Sequence, residues 1–301
     1  MTLLEELVDR YPSMPWNWNQ LSMNPAITFK FIIDHKSPQW NINNVSRNIS
    51  ITEDDILSSQ YNWNLVGLFT NPNLSYGFYK KYMIDHPCVL YIDWALLSAN
   101  PSITTMDIID YPSHPWNDKF LSANPNITSN FILNEGSTRT WYAPNVSANS
   151  GITKRDIVKS SLRSLFEWDY LNLSINPNLP LAYVDSNINK NWNWFEISKT
   201  ASMLDIERFH NFKWNSDSMS MNSNITMDYI LEHGDTKWNK QYILTNSSIK
   251  LNNVYEHLDW FALDAPDIKK YLSSNASISF DWVSDNINYI DWDRLSNNVL
   301  L

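Results

Sequence analysis

The sequence predicts an all-α fold, an α-solenoid of about twelve short two-helix repeats of ~24 residues each. Three observations carry this. One string of residues recurs along the chain at a short spacing. Apolar positions hold a fixed register to that string. Two further positions in each copy carry the residue types that start helices.

The string is Leu21-Ser22-Met23-Asn24-Pro25-Ala26-Ile27-Thr28. It recurs as Leu97-Ser98-Ala99-Asn100-Pro101-Ser102-Ile103-Thr104 and as Leu121-Ser122-Ala123-Asn124-Pro125-Asn126-Ile127-Thr128. With the Asn as position zero, copies fall at Asn24, Asn48, Asn71, Asn100, Asn124, Asn149, Asn176, Thr200, Asn222, Asn246, Asn275 and Asn298. Successive zeros lie 22 to 29 residues apart, most often 24, and only Thr200 departs from Asn. Position −3 is always aliphatic or Met, from Leu21 to Leu295, and +3 is likewise apolar, from Ile27 to Ile278. A Trp stands at −8 or −6 in each of the first ten copies.

The first helix of each unit starts at +4, where Thr28, Thr52, Ser75, Thr104, Thr128, Thr153, Thr226 and Ser279 stand. A hydroxyl there accepts a bond from a backbone N–H that the helix leaves unpaired. Asp55, Asp107 and Asp156 three residues on complete capping boxes. Pairs such as Ile27 with Ile32 and Ile127 with Ile132 have the spacing of a hydrophobic staple. The second helix starts at −7, on Asn17, Asn41, Asn64, Asp93, Asn117, Asp169, Asn193, Asn215, Asn239 or Asp291. Trp16, Trp40, Trp63, Trp116 and Trp214 precede that cap and are expected to be buried as a second staple. Pro25, Pro72, Pro101, Pro125 and Pro177 stop the helix after zero. The zero Asn is expected to bond backbone groups of its own turn or of the next repeat, forming an inner row of amides. Helices of about two turns are marginal alone, so stacking must hold them.

The chain reads as one solenoid domain over residues 1–301, with irregular segments near 80–92, 190–210 and 255–270. The first and last carry the two 29-residue spacings; the middle one has Thr200 at zero and Arg208 where an aliphatic belongs. Trp260 lies outside the usual register. The formal charge of −10 opposes nucleic-acid binding, which needs a basic face, and argues against anionic membranes. A single cysteine, Cys88, excludes a disulfide framework within the chain and suits a reducing compartment. Met1-Thr2-Leu3-Leu4-Glu5-Glu6 lacks the pattern of a signal peptide, and no apolar run is long enough for a membrane span.

The run Pro15-Trp16-Asn17-Trp18-Asn19-Gln20-Leu21-Ser22-Met23-Asn24-Pro25-Ala26-Ile27-Thr28 resembles the tandem Trp/Asn-rich repeats encoded by giant, mimivirus-like DNA viruses. The resemblance covers nearly the whole chain and is closest in the first five copies and at Asn176. It implies a viral protein acting in the host cytoplasm, and it brings no catalytic residues to carry over.

Chemistry-bearing residues are few. His35, His86, His114, His210, His233 and His257 form no close metal pair, and a cap role is expected where they follow first helices. Cys88 beside His86 lacks a supporting nucleophile motif. Five glycines are too few for a phosphate loop. Trp beside Asn could stack on and hydrogen-bond sugars, but the fixed register points to core and caps, with Trp260 as the exception. Sequons such as Asn126-Ile127-Thr128 and Asn145-Val146-Ser147 are by-products of the repeat. No catalytic, cofactor or metal residues are expected, and no cofactor. The expected function is a non-enzymatic scaffold for a host or viral protein with a basic or mixed surface. The alternatives are a structural virion component and a carbohydrate-binding repeat protein.

Overall fold

A computed structural model describes residues 1–35, 39–85, 92–135, 138–159 and 161–298. The described residues are all-helical, with no strand. Six residues is the commonest helix length, as at Trp18–Met23, Phe29–Asp34 and Ile42–Arg47. Both cap rows form. Thr28, Thr52, Thr104, Thr128, Thr226 and Ser279 accept from the N–H three residues on, and so do Asn17, Asn41, Asn64, Asp93, Asn117, Asp169, Asn215, Asn239 and Asp291. Asp55, Asp107 and Asp156 close their capping boxes.

The chain forms two compact units. The first comprises Met1–Ser50 and Trp194–Leu301; the second is Ile51–Asn193. In the second unit the helix Trp94–Ala99 packs on Leu65–Phe69 and on Asp118–Leu121, and Ala143–Ala148 packs on Tyr170–Leu173. In the first unit Trp194–Thr200, Ser216–Met221, Lys240–Thr245 and Ala265–Leu272 pack in succession, and Trp292–Ser296 packs on Trp18–Met23, which packs on Ile42–Arg47. The first repeat of the sequence therefore stacks on the last. Asn17 N–H donates to Ser296 Oγ (3.0 Å), and Trp16 meets Trp292 edge-on at 4.7 Å. Within the first unit these two repeats cover each other's faces.

Two polar rows bind repeat to repeat. The zero asparagines are buried, and most do two jobs. The Oδ1 of Asn124 accepts Asn126 N–H at 2.9 Å, closing its own turn. Its Nδ2 reaches back to the carbonyls of Ser98, Asn100 and Ile103 at 3.0, 2.8 and 3.2 Å. Asn48, Asn149, Asn176, Asn246 and Asn275 repeat the pattern, and Asn24 completes it on Ser296 and Asn298. The row of amides is present, but it joins each repeat to the preceding one rather than to the next. The cause is direction: Oδ1 is held by the turn that follows, so the amide nitrogen faces back. Gly151 shows how close the approach is. A Cβ there would lie 2.3 Å from the Pro125 carbonyl oxygen.

The second row is serine at −2. Ser22, Ser98, Ser122, Ser147, Ser174, Ser198, Ser220, Ser273 and Ser296 each accept the N–H of the residue at −7 of the repeat stacked next. Most also donate to a carbonyl one turn back, as Ser122 does to Asp118 O at 2.7 Å. Phe69 and Leu244 occupy −2 in two copies, and these are the copies followed by the 29-residue spacings. Without the serine acceptor, the next repeat is not tied at that point. After Leu244 the extra length forms the additional helix Leu258–Phe261, which ends on Ala262 at φ 47°.

At Thr200 the second helix runs one residue further, over Trp194–Thr200. The carbonyl of Ala201 then takes the place of the zero carbonyl and accepts Asn222 Nδ2 at 2.7 Å. Arg208 lies within the helix Met203–Arg208, which is separated from Trp194–Thr200 only by the non-helical residues Ala201 and Ser202.

The staple tryptophans are less uniform than expected. Trp16 and Trp116 are buried, whereas Trp40, Trp63 and Trp214 are half-buried. Trp94 and Tyr76 lie against Trp116, while Trp40 stays half-buried beside Trp18 and Phe31. The indole N–H of Trp16, Trp116, Trp192, Trp214 and Trp238 donates to the carbonyl five residues back, at 2.9–3.0 Å.

Candidate functional site

The residues singled out in the sequence are mostly absorbed by the repeat. His35, His233 and His257 close the C-termini of first helices. His35 stacks on Phe31 at 4.9 Å, and the Nδ1 atoms of His233 and His257 lie 2.9 Å from the carbonyls of Tyr229 and Asn253. His114 stacks between Tyr111 and Trp94. His210 is exposed. His86 and Cys88 lie outside the described residues. Among the described residues no group of three His, Cys, Asp or Glu is placed to hold a metal ion. Asn126 and Asn145, the sequon asparagines, spend their side-chain amides on carbonyls of the preceding repeat.

Trp260 sits half-buried in the additional helix, edge-on to Phe261 at 5.1 Å. The Lys240 ammonium lies 5.1 Å from its ring centre and donates to its carbonyl at 2.6 Å. That indole face is occupied by a cation of the same chain, so it is not an open platform for a sugar.

No protein-family model, curated protein or solved structure matches this chain. The site is therefore read from chemistry alone.

Three surface features stand out. On the first helices the residue at +9 follows the buried apolar residue at +8. In the second unit this places Ile109, Leu133 and Val158, from three successive repeats, 54%, 38% and 54% exposed. Met106 is exposed on the same helix as Ile109. The sequence showed only half of this. The doublets Ile108-Ile109, Ile132-Leu133 and Ile157-Val158 put one residue into the staple and leave the other outside. Lys154, Arg155 and Lys159 on one flank and Asp110 on the other give the row a mixed charge.

The second feature lies on the second helices of the first unit. A cleft of about 530 Å³ is lined by Gln20, Gln241, Tyr242, Tyr271, Asp293 and Arg294 among others. The Arg294 guanidinium stands 4.8 Å above the Tyr271 ring and 3.2 Å from Asp291, so its charge is largely answered within the chain. The third is a cavity of about 470 Å³ in the same unit, walled by Trp214, Tyr229, His233 and Trp238.

Buried tyrosines serve the stack. Burial, ahead of the charges on Tyr111 and Asp107, pushes the Tyr76 hydroxyl up to about 12. Burial likewise raises Tyr79, whose hydroxyl donates to Leu68 O at 2.8 Å and accepts the Asn100 amide at 3.1 Å. Neither is poised for acid–base work near neutral pH.

Proposed function

We propose that this protein is a non-enzymatic scaffold that binds a protein partner along the first helices of its second unit. The exposed row Ile109, Leu133 and Val158 carries this reading. Isolated apolar residues on a surface are ordinary, but a row repeated in register marks an interaction face. Each repeat exposes one such side chain at the same position, so the matching partner is an extended segment or helix with apolar residues spaced to meet successive repeats. The net charge of −10 favours a partner with basic flanks. The Trp/Asn repeat pattern supports a source among giant viruses, with a host or viral protein as partner and the host cytoplasm as the place of action. No described helix is long and apolar enough to cross a membrane.

The test is a triple variant, I109E/L133E/V158E, compared with the parent chain in affinity capture from infected cells. These side chains are exposed, so the fold should survive, with an unchanged melting temperature and helical circular dichroism. The proteins captured by the parent should be lost from the variant. An identical captured set with the folded variant would contradict the reading.

A further inference from the structure

The cavity near Trp238 is a seat that other repeats fill with an aromatic ring. Five repeats carry an aromatic residue at −6, and in four of them it stands edge-on to the staple Trp of the repeat stacked next; the fifth, Trp194, meets Phe212 instead. Trp18 meets Trp40 at 4.9 Å and 83°, and Trp94 meets Trp116 at 5.1 Å and 87°. Tyr170 meets Trp192 at 5.1 Å and 84°, and Trp292 meets Trp16 at 4.7 Å and 74°. In the repeat ending at Asn222, position −6 is Ser216.

The walls of the seat are the same with and without the ring. Around Trp18 they are Phe31, His35 and Trp40; around Ser216 they are Tyr229, His233 and Trp238, at the same register positions. His35 stacks on Phe31 at 14°, and His233 stacks on Tyr229 at 21°. Phe31 meets Trp40 at 6.3 Å and 81°, and Tyr229 meets Trp238 at 6.4 Å and 80°. In the filled seat the Trp18 ring stacks on His35 at 6.3 Å and 27°. At two other copies a polar side chain at −6 brings a partner of its own. Asp118 at −6 draws in Arg139 at 2.8 Å, and Lys240 at −6 lies against Trp260. Ser216 is too short to reach across, and the space opens into the cavity of about 470 Å³. That volume is within the range of small-molecule sites.

We infer that this cavity binds a flat bicyclic aromatic ring of the indole type, laid on His233 and edge-on to Trp238 as Trp18 lies on His35 and Trp40. The chemistry of the mouth selects further. The carboxylates of Glu207 and Asp235 stand there, exposed, and accept hydrogen bonds, so a ring bearing an N–H is preferred to a hydrocarbon of the same shape. A free indole-type molecule and a Trp side chain offered by another protein share this chemistry.

The test is thermal unfolding of the full chain with indole, of the parent and of Ser216→Trp. Saturating indole should raise the parent's melting temperature. Ser216→Trp should fill the seat from within, raise the melting temperature by itself and abolish the response to indole. No response in the parent, or an equal response in the folded variant, would overturn the inference. Should the variant fail to fold, crystals of the parent grown with indole decide: the ring must lie between His233 and Trp238, and a ring bound elsewhere or nowhere refutes the inference. A blocked Gly-Ser-Trp-Ser-Gly peptide then separates the two sources. A response to peptide and indole alike assigns the seat to a partner's side chain; a response to indole alone assigns it to a small molecule.

Discussion

Replacing Trp116 by Ala is expected to destabilise the second unit by about 3–5 kcal/mol, the range for truncating a buried aromatic. Trp116 is 7% exposed. Its indole N–H donates to Tyr111 O at 3.0 Å, and its ring meets Trp94 at 5.1 Å and Tyr76 at 5.6 Å. Truncation therefore opens a cavity, removes one of the two donors to Tyr111 O (His114 N–H remains) and takes the cover from two neighbouring rings. The loss is read as a lowered midpoint in urea denaturation. The same substitution at Trp40 should cost less, because that ring is half-buried and its N–H has no hydrogen-bond partner.

The second large effect is expected at Asn124. Asn124→Leu keeps the size of the side chain and removes its four hydrogen bonds. The damage is uneven. Asn100 O keeps the N–H of Ile103, and Ile103 O keeps the amide of Asn126. Ser98 O loses the Asn124 amide and Asn126 N–H loses the Asn124 oxygen. Leaving buried groups unpaired costs ~1–3 kcal/mol each, so for these two a loss of about 2–6 kcal/mol is expected in the same urea titration.

The helices, their caps and the asparagine row were legible because each rests on contacts within a few residues. Thr28 and Asn17 act on their own first turns, and the Asn124 Oδ1 acts two residues on. What escaped rests on the partner repeat. Ser122 is the cap at the end of its helix, and its role lies with the N–H of Tyr142, twenty residues on. A signal was present, since Ser recurs beside the Asn in the string itself. The doublet Ile132-Leu133 reads as core twice over until helix geometry turns the second residue outward. Ser216 was visible as one of several non-aromatic residues at −6, but not the seat it leaves open, which is made by Tyr229, His233 and Trp238. The meeting of the first and last repeats left no local trace, because its hydrogen bonds join residues more than 270 positions apart.

The polar spine is tested most directly by Asn124→Asp, measured by urea denaturation against the parent from pH 7 down to pH 3. The aspartate keeps an oxygen for Asn126 N–H but turns its other oxygen on the carbonyls of Ser98, Asn100 and Ile103. A buried carboxylate facing carbonyls is held above its usual range, so the fold favours the protonated acid, which can donate to one of them. The unfolded chain releases that proton near pH 3.9. The stability difference is therefore smallest below that pH, grows as pH rises from there to the raised value in the fold, and is constant above it. The account predicts a variant at least as damaged as Asn124→Leu at pH 7 and partly restored relative to the parent at pH 3. A variant as stable as the parent at pH 7 would contradict the spine.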